Sequence, residues 1–210
     1  ESLQHRATQS QVNRFTKQFM KQAKSLNKTV VFAPLRMPYL AEEVKNDVEN
    51  HENYTKMMDV LMSPRCINCH PNDHIPKQGD DGHPHYFGVS RGEGNLGYEA
   101  TKCTTCHQSE NNNYSGVPGA PEWSLAPEKM KWEGLTRAEI AKSMLNPENN
   151  GGRNHDELMH HLTEHALVLW AWKPGVRADG TPREAPPVPL EEYQEAVREW
   201  IENGAIVPED

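Results

Sequence analysis

Two short runs of cysteine and histidine are the residues of this 210-residue chain best suited to chemistry. They are Cys66-Ile67-Asn68-Cys69-His70 and Cys103-Thr104-Thr105-Cys106-His107, and together they contain all four cysteines. Both follow the pattern C-x-x-C-H. Two thiols three positions apart on a helical turn can each form a thioether with a vinyl group of one porphyrin, and the next histidine then lies beneath the iron. The pattern predicts two covalently bound haem c groups, with His70 and His107 as proximal iron ligands.

Zinc, a redox-active dithiol and structural disulfides are the alternative uses of such cysteines. The cysteine pairs of a zinc ribbon are about 15 to 20 residues apart, whereas 33 residues separate Cys69 from Cys103. Zinc also gives no reason for a histidine after each pair. A redox-active C-x-x-C normally lies between a strand and a helix of a parallel α/β pattern, which surrounds neither run. A disulfide within C-x-x-C closes a very short loop and contributes little loop entropy. We therefore favour haem.

The composition indicates an acidic, polar protein. The chain is 35% hydrophobic and has a formal net charge of −8. Nucleic-acid binding needs a basic surface, so this charge argues against it and favours protein partners with a basic or neutral patch. No run of about 20 apolar residues is present, so we expect no membrane-spanning segment. The chain begins at Glu1 without a methionine or an apolar secretory segment, and haem c is attached outside the bacterial cytoplasm. We therefore expect a periplasmic or extracytoplasmic protein whose leader or anchor has been removed.

The hydrophobic pattern predicts a mostly α fold with long irregular loops and both haems in one shared core. Extended chain is expected over 29–40, a loop over 111–127 and a proline-rich strap over 173–189. The predicted helices are 9–26, 41–62, 136–145, 154–172 and 191–203. A capping box begins at Thr136, the run Asn154-His155-Asp156-Glu157 opens the next helix, and Gly204 ends the last helix. We expect 1–62 to be an N-terminal arm and a helix leading into the first motif, and 63–210 to be the di-haem core. Residues 41–62 should fold with that core.

Two of the predicted helices have an apolar face that we expect to be buried. Tyr193, Val197, Trp200 and Ile201 share one face of the last helix. The inner side of helix 41–62 is marked by six residues: Val44, Val48, His51, Met58, Leu61 and Met62. Glycine-rich chain, not a helix, precedes the second motif, so the two motifs are not tandem copies of one domain. We therefore expect two haems in one fold.

Each haem iron has a sixth coordination position that a histidine or methionine would fill in an electron carrier. His161 is the first candidate, because it shares an apolar helix face with His165. Met130 follows a proline on a loop that Trp123 and Trp132 could hold against a porphyrin. His85 lies soon after the first motif, on a loop stiffened by Pro84. His74, His83 and His165 are weaker candidates. His161 to His165 also matches the zinc-protease motif H-x-x-E-H, a short match that the haem motifs make superfluous.

With these features placed, the chain resembles bacterial di-haem cytochromes c of about this size, some of which accompany periplasmic oxidoreductases. The resemblance covers about Ser63 to Pro208. Besides the two C-x-x-C-H motifs it is carried by Gln78-Gly79-Asp80-Asp81 with Pro84-His85, by Pro118-Gly119-Ala120-Pro121, by Leu125-Ala126-Pro127 with Met130, and by Leu167-Val168-Leu169-Trp170-Ala171-Trp172. The resemblance implies that two of His85, Met130 and His161 are the sixth ligands, in preference to the weaker candidates.

We therefore expect a di-haem cytochrome c that transfers electrons between periplasmic redox partners, as the accepting subunit or partner of an oxidoreductase. Axial ligands, burial and nearby charge would set the two potentials. Two alternatives stay open at this point. One is a small peroxidase-like enzyme with a five-coordinate haem and a positioned acid or base. The other is a redox or gas sensor whose distal ligand leaves.

Overall fold

Helices dominate the part of the protein that the computed structural model describes, which is the backbone of residues 38–208 and the side chains of residues 45–208. There the α-helices are α1 (Pro38–Leu61), α2 (Pro64–Ile67), α3 (Cys103–Cys106), α4 (Arg137–Leu145), α5 (His155–Glu164), α6 (Ala166–Leu169) and α7 (Leu190–Glu202). Short 3-10 helices lie at Glu93–Asn95, Glu99–Thr101 and Trp170–Trp172. Two-residue strands β1 (Lys77–Gln78) and β2 (His83–Pro84) pair antiparallel. The prediction of a mostly helical chain is confirmed.

The start of α1 differs from the sequence-based expectation. The helix begins at Pro38, so the last three residues of the predicted extended segment 29–40 are helical. Proline suits this position because the first turn of a helix needs no amide hydrogen from it. The remainder of that segment and the predicted helix 9–26 lie outside the described residues. Contacts divide the chain into two compact units, residues 1–42 and residues 43–210, and both C-x-x-C-H motifs lie in the second.

The inner face predicted for α1 is partly wrong. Met58 and Leu61 are buried as expected, but Val48, His51 and Met62 are exposed; the side chain of Val44 lies outside the described residues. The buried face instead consists of Tyr54, Met57, Met58 and Leu61, which follow the i, i+3, i+4, i+7 spacing of one helix face. Val48, His51 and Met62 lie outside this spacing and point away from the core.

The helix caps and α7 match the sequence prediction. Thr136 and Asn154 each form a capping box with the glutamate three residues later, which satisfies otherwise unpaired amides at the starts of α4 and α5. The predicted face of α7, residues 193, 197, 200 and 201, is buried. It packs against α5 and joins buried side chains of α1 and α4 in one hydrophobic core. Burying each such large side chain contributes roughly 1.5–3 kcal/mol.

The single helix predicted over 154–172 is wrong, because the helix is interrupted at His165. The backbone there is extended (φ −68°, ψ 127°), and α6 starts at the next residue. Gln194 of α7 donates a hydrogen bond of 2.6 Å to the carbonyl oxygen of Thr163, and this bond takes the place of the next helical turn. The interruption turns the chain from α5 into α6 beside the two C-x-x-C-H motifs.

Long loops connect the two motifs, as the glycine-rich sequence predicts. Between residues 68 and 102 the described chain has only the short β1–β2 pair and two 3-10 turns. The strap after Trp172 is held in a turn by an isolated bridge between Val176 and Pro182. Within residues 38–208 no helix has the length and apolar character needed to cross a bilayer.

Candidate functional site

The first C-x-x-C-H run is held at the end of α2 by backbone hydrogen bonds to a distant loop. Pro64 starts this short helix, and the amide of His70 bonds to the carbonyl of Ile67 at 2.9 Å. A later loop forms hydrogen bonds with the motif. In this loop the backbone amide of Trp132 donates to the carbonyl of His70 at 3.0 Å. The amide of Ala126 donates to the carbonyl of Cys69 at 3.0 Å. Residues some sixty positions apart thus form one rigid site.

The second run forms α3 itself, and its histidine caps that helix. The amide of His107 donates to the carbonyl of Cys103 at 2.9 Å. The loop that follows is fixed by Asn111, whose side-chain oxygen accepts hydrogen bonds from the amide of Gly119 at 3.0 Å and from the indole of Trp170 at 2.9 Å. The motif is therefore anchored to the chain after α6.

Each motif histidine is oriented by the same pair of contacts. His70 Nδ1 lies 2.7 Å from the carbonyl oxygen of Met130, and His107 Nδ1 lies 2.7 Å from that of Pro118. Each Nδ1 therefore carries the ring proton and donates a hydrogen bond to a backbone carbonyl. Trp132 stacks on the His70 ring at 3.6 Å and 12°, and Trp123 stacks on the His107 ring at 4.5 Å and 8°.

The remaining nitrogen, Nε2, is free to bind a metal in both motif histidines. Among residues 45–208 neither Nε2 atom has a hydrogen-bond partner. Metal-binding histidines characteristically donate their other N–H to a carbonyl or carboxylate, which fixes the tautomer. Burial also lowers the pKa of His70 to about 4 and lowers that of His107. Both imidazoles are thus neutral at pH 7, the form in which histidine binds a metal.

Cavity A adjoins the first motif and has a volume of about 280 Å³. Its wall includes Cys66, Cys69 and His70, together with Met130 and His161 from two other parts of the chain. His161 is half-buried on α5, and its Nδ1 is buried without a hydrogen-bond partner among the described residues. Burial lowers its pKa to about 4 as well. Cavity A therefore contains both thiols of a motif and two neutral histidines.

Cavity B adjoins the second motif and is larger, about 990 Å³. Its wall includes Cys103, Cys106, His107 and His85. The His85 and His107 ring centres are 6.0 Å apart with an interplanar angle of 73°. His85 Nδ1 lies 2.8 Å from the carbonyl oxygen of Tyr86, the same arrangement as in the motif histidines. A metal–nitrogen bond of about 2 Å on each side would put two imidazole centres roughly 6 Å apart.

The two cavities adjoin one another. Five residues line both: Arg65, Cys69, Ser124, Leu125 and Trp170. An aromatic contact also links them, because Trp123, which stacks on His107, meets Trp170 edge-on at 4.8 Å and 83°. The two motifs therefore line neighbouring cavities that share part of their wall.

The weaker histidine candidates have other partners. Both ring nitrogens of His83 are engaged, Nδ1 with Asp81 at 2.6 Å and Nε2 with Gln78 at 3.0 Å. His74 is exposed and lies 3.7 Å from Glu128. The exposed His160 lies 3.1 Å from Glu164.

His165, the third weaker candidate, differs from His74 and His83 because it lies in the wall of cavity A. Its Nε2 is 3.0 Å from Glu122, and its ring centre is 4.9 Å from that of His161. The two rings are tilted by 54°.

Met130 has a role that its sequence context did not reveal. Its backbone carbonyl orients His70, and its thioether sulfur is 3.8 Å from the hydroxyl of Ser143. The side chain is buried in the helical core while also reaching the wall of cavity A. Trp123 and Trp132, which the sequence associated with this methionine, instead stack on the motif histidines. Neither stacking contact had a sequence signal beyond a tryptophan in a proline-containing loop.

The thiols of the first motif lack the lowered pKa that is typical of a redox-active pair. All four cysteines are free. Burial raises the pKa of Cys66 to about 12 and that of Cys69 to about 11. Reactive cysteines of redox C-x-x-C motifs have lowered pKa values instead. Within residues 45–208 no three His, Cys, Asp or Glu side chains are grouped to hold a metal ion, and a haem iron takes only two protein ligands.

The described residues suit the predicted cofactor in three respects. The wall of each cavity contains two thiols three positions apart, a neutral motif histidine whose Nε2 has no hydrogen-bond partner among residues 45–208, and a second histidine. Cavity B, at about 990 Å³, lies within the volume range of cofactor sites, about 300–1,000 Å³, and cavity A, at about 280 Å³, lies just below it. Comparison of the chain with protein-family models, with curated proteins and with solved structures found no match.

Proposed function

We propose that this chain is a di-haem c-type cytochrome that transfers electrons between extracytoplasmic redox proteins. The proposal depends on one observation, which is that the two motif histidines are held by the same two kinds of contact. Each donates Nδ1–H to a backbone carbonyl and stacks on a tryptophan, so that Nε2 is left for iron beside the two thiols of the same motif. Bound haem would supply one-electron chemistry that the side chains cannot.

The sixth ligands we propose are His161 in cavity A and His85 in cavity B. His161 shares cavity A with His70, and its buried Nδ1 has no hydrogen-bond partner among residues 45–208. His85 faces His107 at the separation that two ligands of one metal require. Met130 then has the orienting role, because its carbonyl already holds His70. Two histidine ligands lower a haem potential relative to a histidine and a methionine.

The experiment is optical spectroscopy of the protein matured with its haems, with and without carbon monoxide. We expect two covalent haems per chain and a reduced spectrum that carbon monoxide leaves unchanged. His161→Ala should make one haem bind carbon monoxide, and His85→Ala should do so for the other. His160→Ala is the matched control, since this exposed neighbour of His161 should leave the spectrum unchanged. Absence of covalent haem would overturn the proposal.

A peroxidase-like enzyme is the second candidate, favoured by one observation. His165 and Glu122, 3.0 Å apart, both line cavity A and form a pair able to move a proton. This reading requires an open iron in cavity A. Carbon monoxide binding to half of the haem in the unaltered protein, with no further change in His161→Ala, would favour it over electron transfer.

A further inference from the structure

Three arginines meet at the wall of cavity B. Arg65 lies on α2 with its side chain only 5% exposed, and it donates to one carboxylate oxygen of Asp80 and, at 3.3 Å, to the carbonyl of Gly79. Arg177 donates to the other oxygen of Asp80. One carboxylate therefore holds two guanidinium groups that are 112 residues apart in the chain. All of these residues line cavity B.

Among residues 45–208 the third arginine has no acidic partner. Arg183 donates to the backbone carbonyls of Gly116, Val176 and Pro174. Burial, followed by the positive charges of Arg65 and Arg177, lowers its pKa, so the three guanidinium groups are close enough to repel one another.

Positive charge is therefore in excess at this wall. Within residues 45–208 Asp80 is the one carboxylate in direct contact with the cluster, and it contacts Arg65 and Arg177 but not Arg183. Glu184 acts on Arg65 only through space. Half-buried cations without enough partner anions are unfavourable, because desolvation is not compensated.

The charge of the whole cavity wall supports this reading. Cavity B is lined by Arg65, Lys77, Lys102, Arg177 and Arg183 but by only two acids, Asp80 and Asp81. Both lysines pair with acids outside the cavity, Lys77 with Asp73 at 3.0 Å and Lys102 with Glu99 at 2.7 Å. The uncompensated charge thus belongs to the arginines. It is found in a chain whose formal net charge is −8, so it is local and not a property of the surface.

We propose that Arg65, Arg177 and Arg183 form a carboxylate-binding site that holds the propionate groups of the cofactor in cavity B, with Asp80 organising the arginines. This inference rests on the proposed function. Guanidinium groups bind carboxylates through paired hydrogen bonds, which a lysine cannot reproduce. Only Arg65 also lines cavity A, so the effect should concentrate on one haem.

The test compares Arg177→Gln and Arg177→Lys with Arg198→Gln in the matured protein. Arg198 is the matched control, since its side chain is 41% exposed against 42% for Arg177 and it lines neither cavity. Removing a cation beside an iron favours the oxidised form, which has one more positive charge. In Arg177→Gln we expect the equilibrium constant for reduction of one haem to fall about tenfold, which lowers its reduction potential by about 59 mV for one electron. Arg177→Lys should shift it less, and Arg198→Gln should leave both haems unchanged.

A second readout follows the carboxylate itself. Redox-induced infrared difference spectra, with haem carboxylates ¹³C-labelled from δ-aminolevulinate, should show a labelled band that moves in Arg177→Gln and also in Arg177→Lys. The potential of that haem should become pH-dependent near neutrality in Arg177→Gln. If Arg177→Gln does not mature, the labelled band in Arg177→Lys decides the question.

Three results would overturn the inference. One is an unmoved labelled band in a protein that carries two covalent haems, which leaves the proposed function intact. Another is an equal potential shift in the Arg198 control. The third is a wild-type potential that depends on phosphate concentration, which would assign the arginines to a free anion. A chain without covalent haem would instead overturn the proposed function.

Discussion

Asn150 offers the sharpest test of how the fold positions His161. This side chain is 2% exposed and lies in the turn that joins α4 to α5. It donates to the carbonyl of Met144 at 2.7 Å and to that of Arg153 at 3.0 Å, and it accepts from the amide of Arg153 at 2.8 Å. Asn150→Ala removes all three hydrogen bonds. At about 0.5–1.5 kcal/mol each, the free energy of unfolding should fall by about 2–4 kcal/mol.

The matched control is Asn149→Ala, one residue earlier. Asn149 is only half-buried, and its side chain makes one long hydrogen bond of 3.4 Å to Ser143. Its loss should cost about 0.5 kcal/mol or less. Urea unfolding of the matured protein, followed by far-ultraviolet circular dichroism, measures both variants. Because Asn150 also lines cavity A, its variant should bind carbon monoxide partially as α5 loosens. Equal destabilisation by the two variants would refute the reasoning.

Two further outcomes are expected. A Cβ atom on Gly119 would lie 2.3 Å from the carbonyl oxygen of Glu110 and 2.4 Å from that of Gln108, so Gly119→Ala should lower the free energy of unfolding by about 1–3 kcal/mol; a thermal melt no lower than that of the unaltered protein would contradict this. A hydrogen bond from the Thr136 amide lowers the pKa of Glu139 below its usual 4.5. The ionised carboxylate therefore stabilises α4 above pH 4.5, and this stabilisation is lost as the pH falls through the lowered pKa of the folded protein. The stability difference between the unaltered protein and Glu139→Gln should therefore disappear in acid, and a constant difference from pH 7 to pH 3 would exclude the capping interaction as its cause.

Local features of the structure were predictable from the sequence. The capping boxes at Thr136 and Asn154 and the buried face of α7 depend on residues within one or two turns of each other, which a sequence pattern records. The interruption at His165 was not predictable in this way. The helical spacing of apolar residues continues across it, whereas the carbonyl oxygen of Thr163 that it leaves open is bonded by Gln194, 31 positions further along the chain.

In the candidate site, too, the local features were predictable from the sequence and the contacts between distant residues were not. The two motifs and the candidate histidines can be read from residue types and spacing. The carbonyl that orients His70 belongs to a residue 60 positions further along the chain, and backbone carbonyls leave no signature in the side-chain sequence. The arginine cluster was also missed, because Arg65 and Arg177 meet only through the fold. Hydrophobic periodicity reports burial and has no information on which charged residues converge.

The two cavities are built alike around their histidines but differ in their surroundings, and this difference bears on the proposed electron transfer. Cavity A adjoins the helical core and is lined by buried side chains such as Leu158 and Leu162. Cavity B is lined mostly by loop residues, and Tyr86 and Phe87 in its wall are 62% and 88% exposed. These exposed aromatic side chains offer a partner protein an apolar contact surface at cavity B. A shared wall that contains Trp170 connects the two cavities. We accordingly expect a partner that docks on the chain to reach the haem proposed for the second motif first.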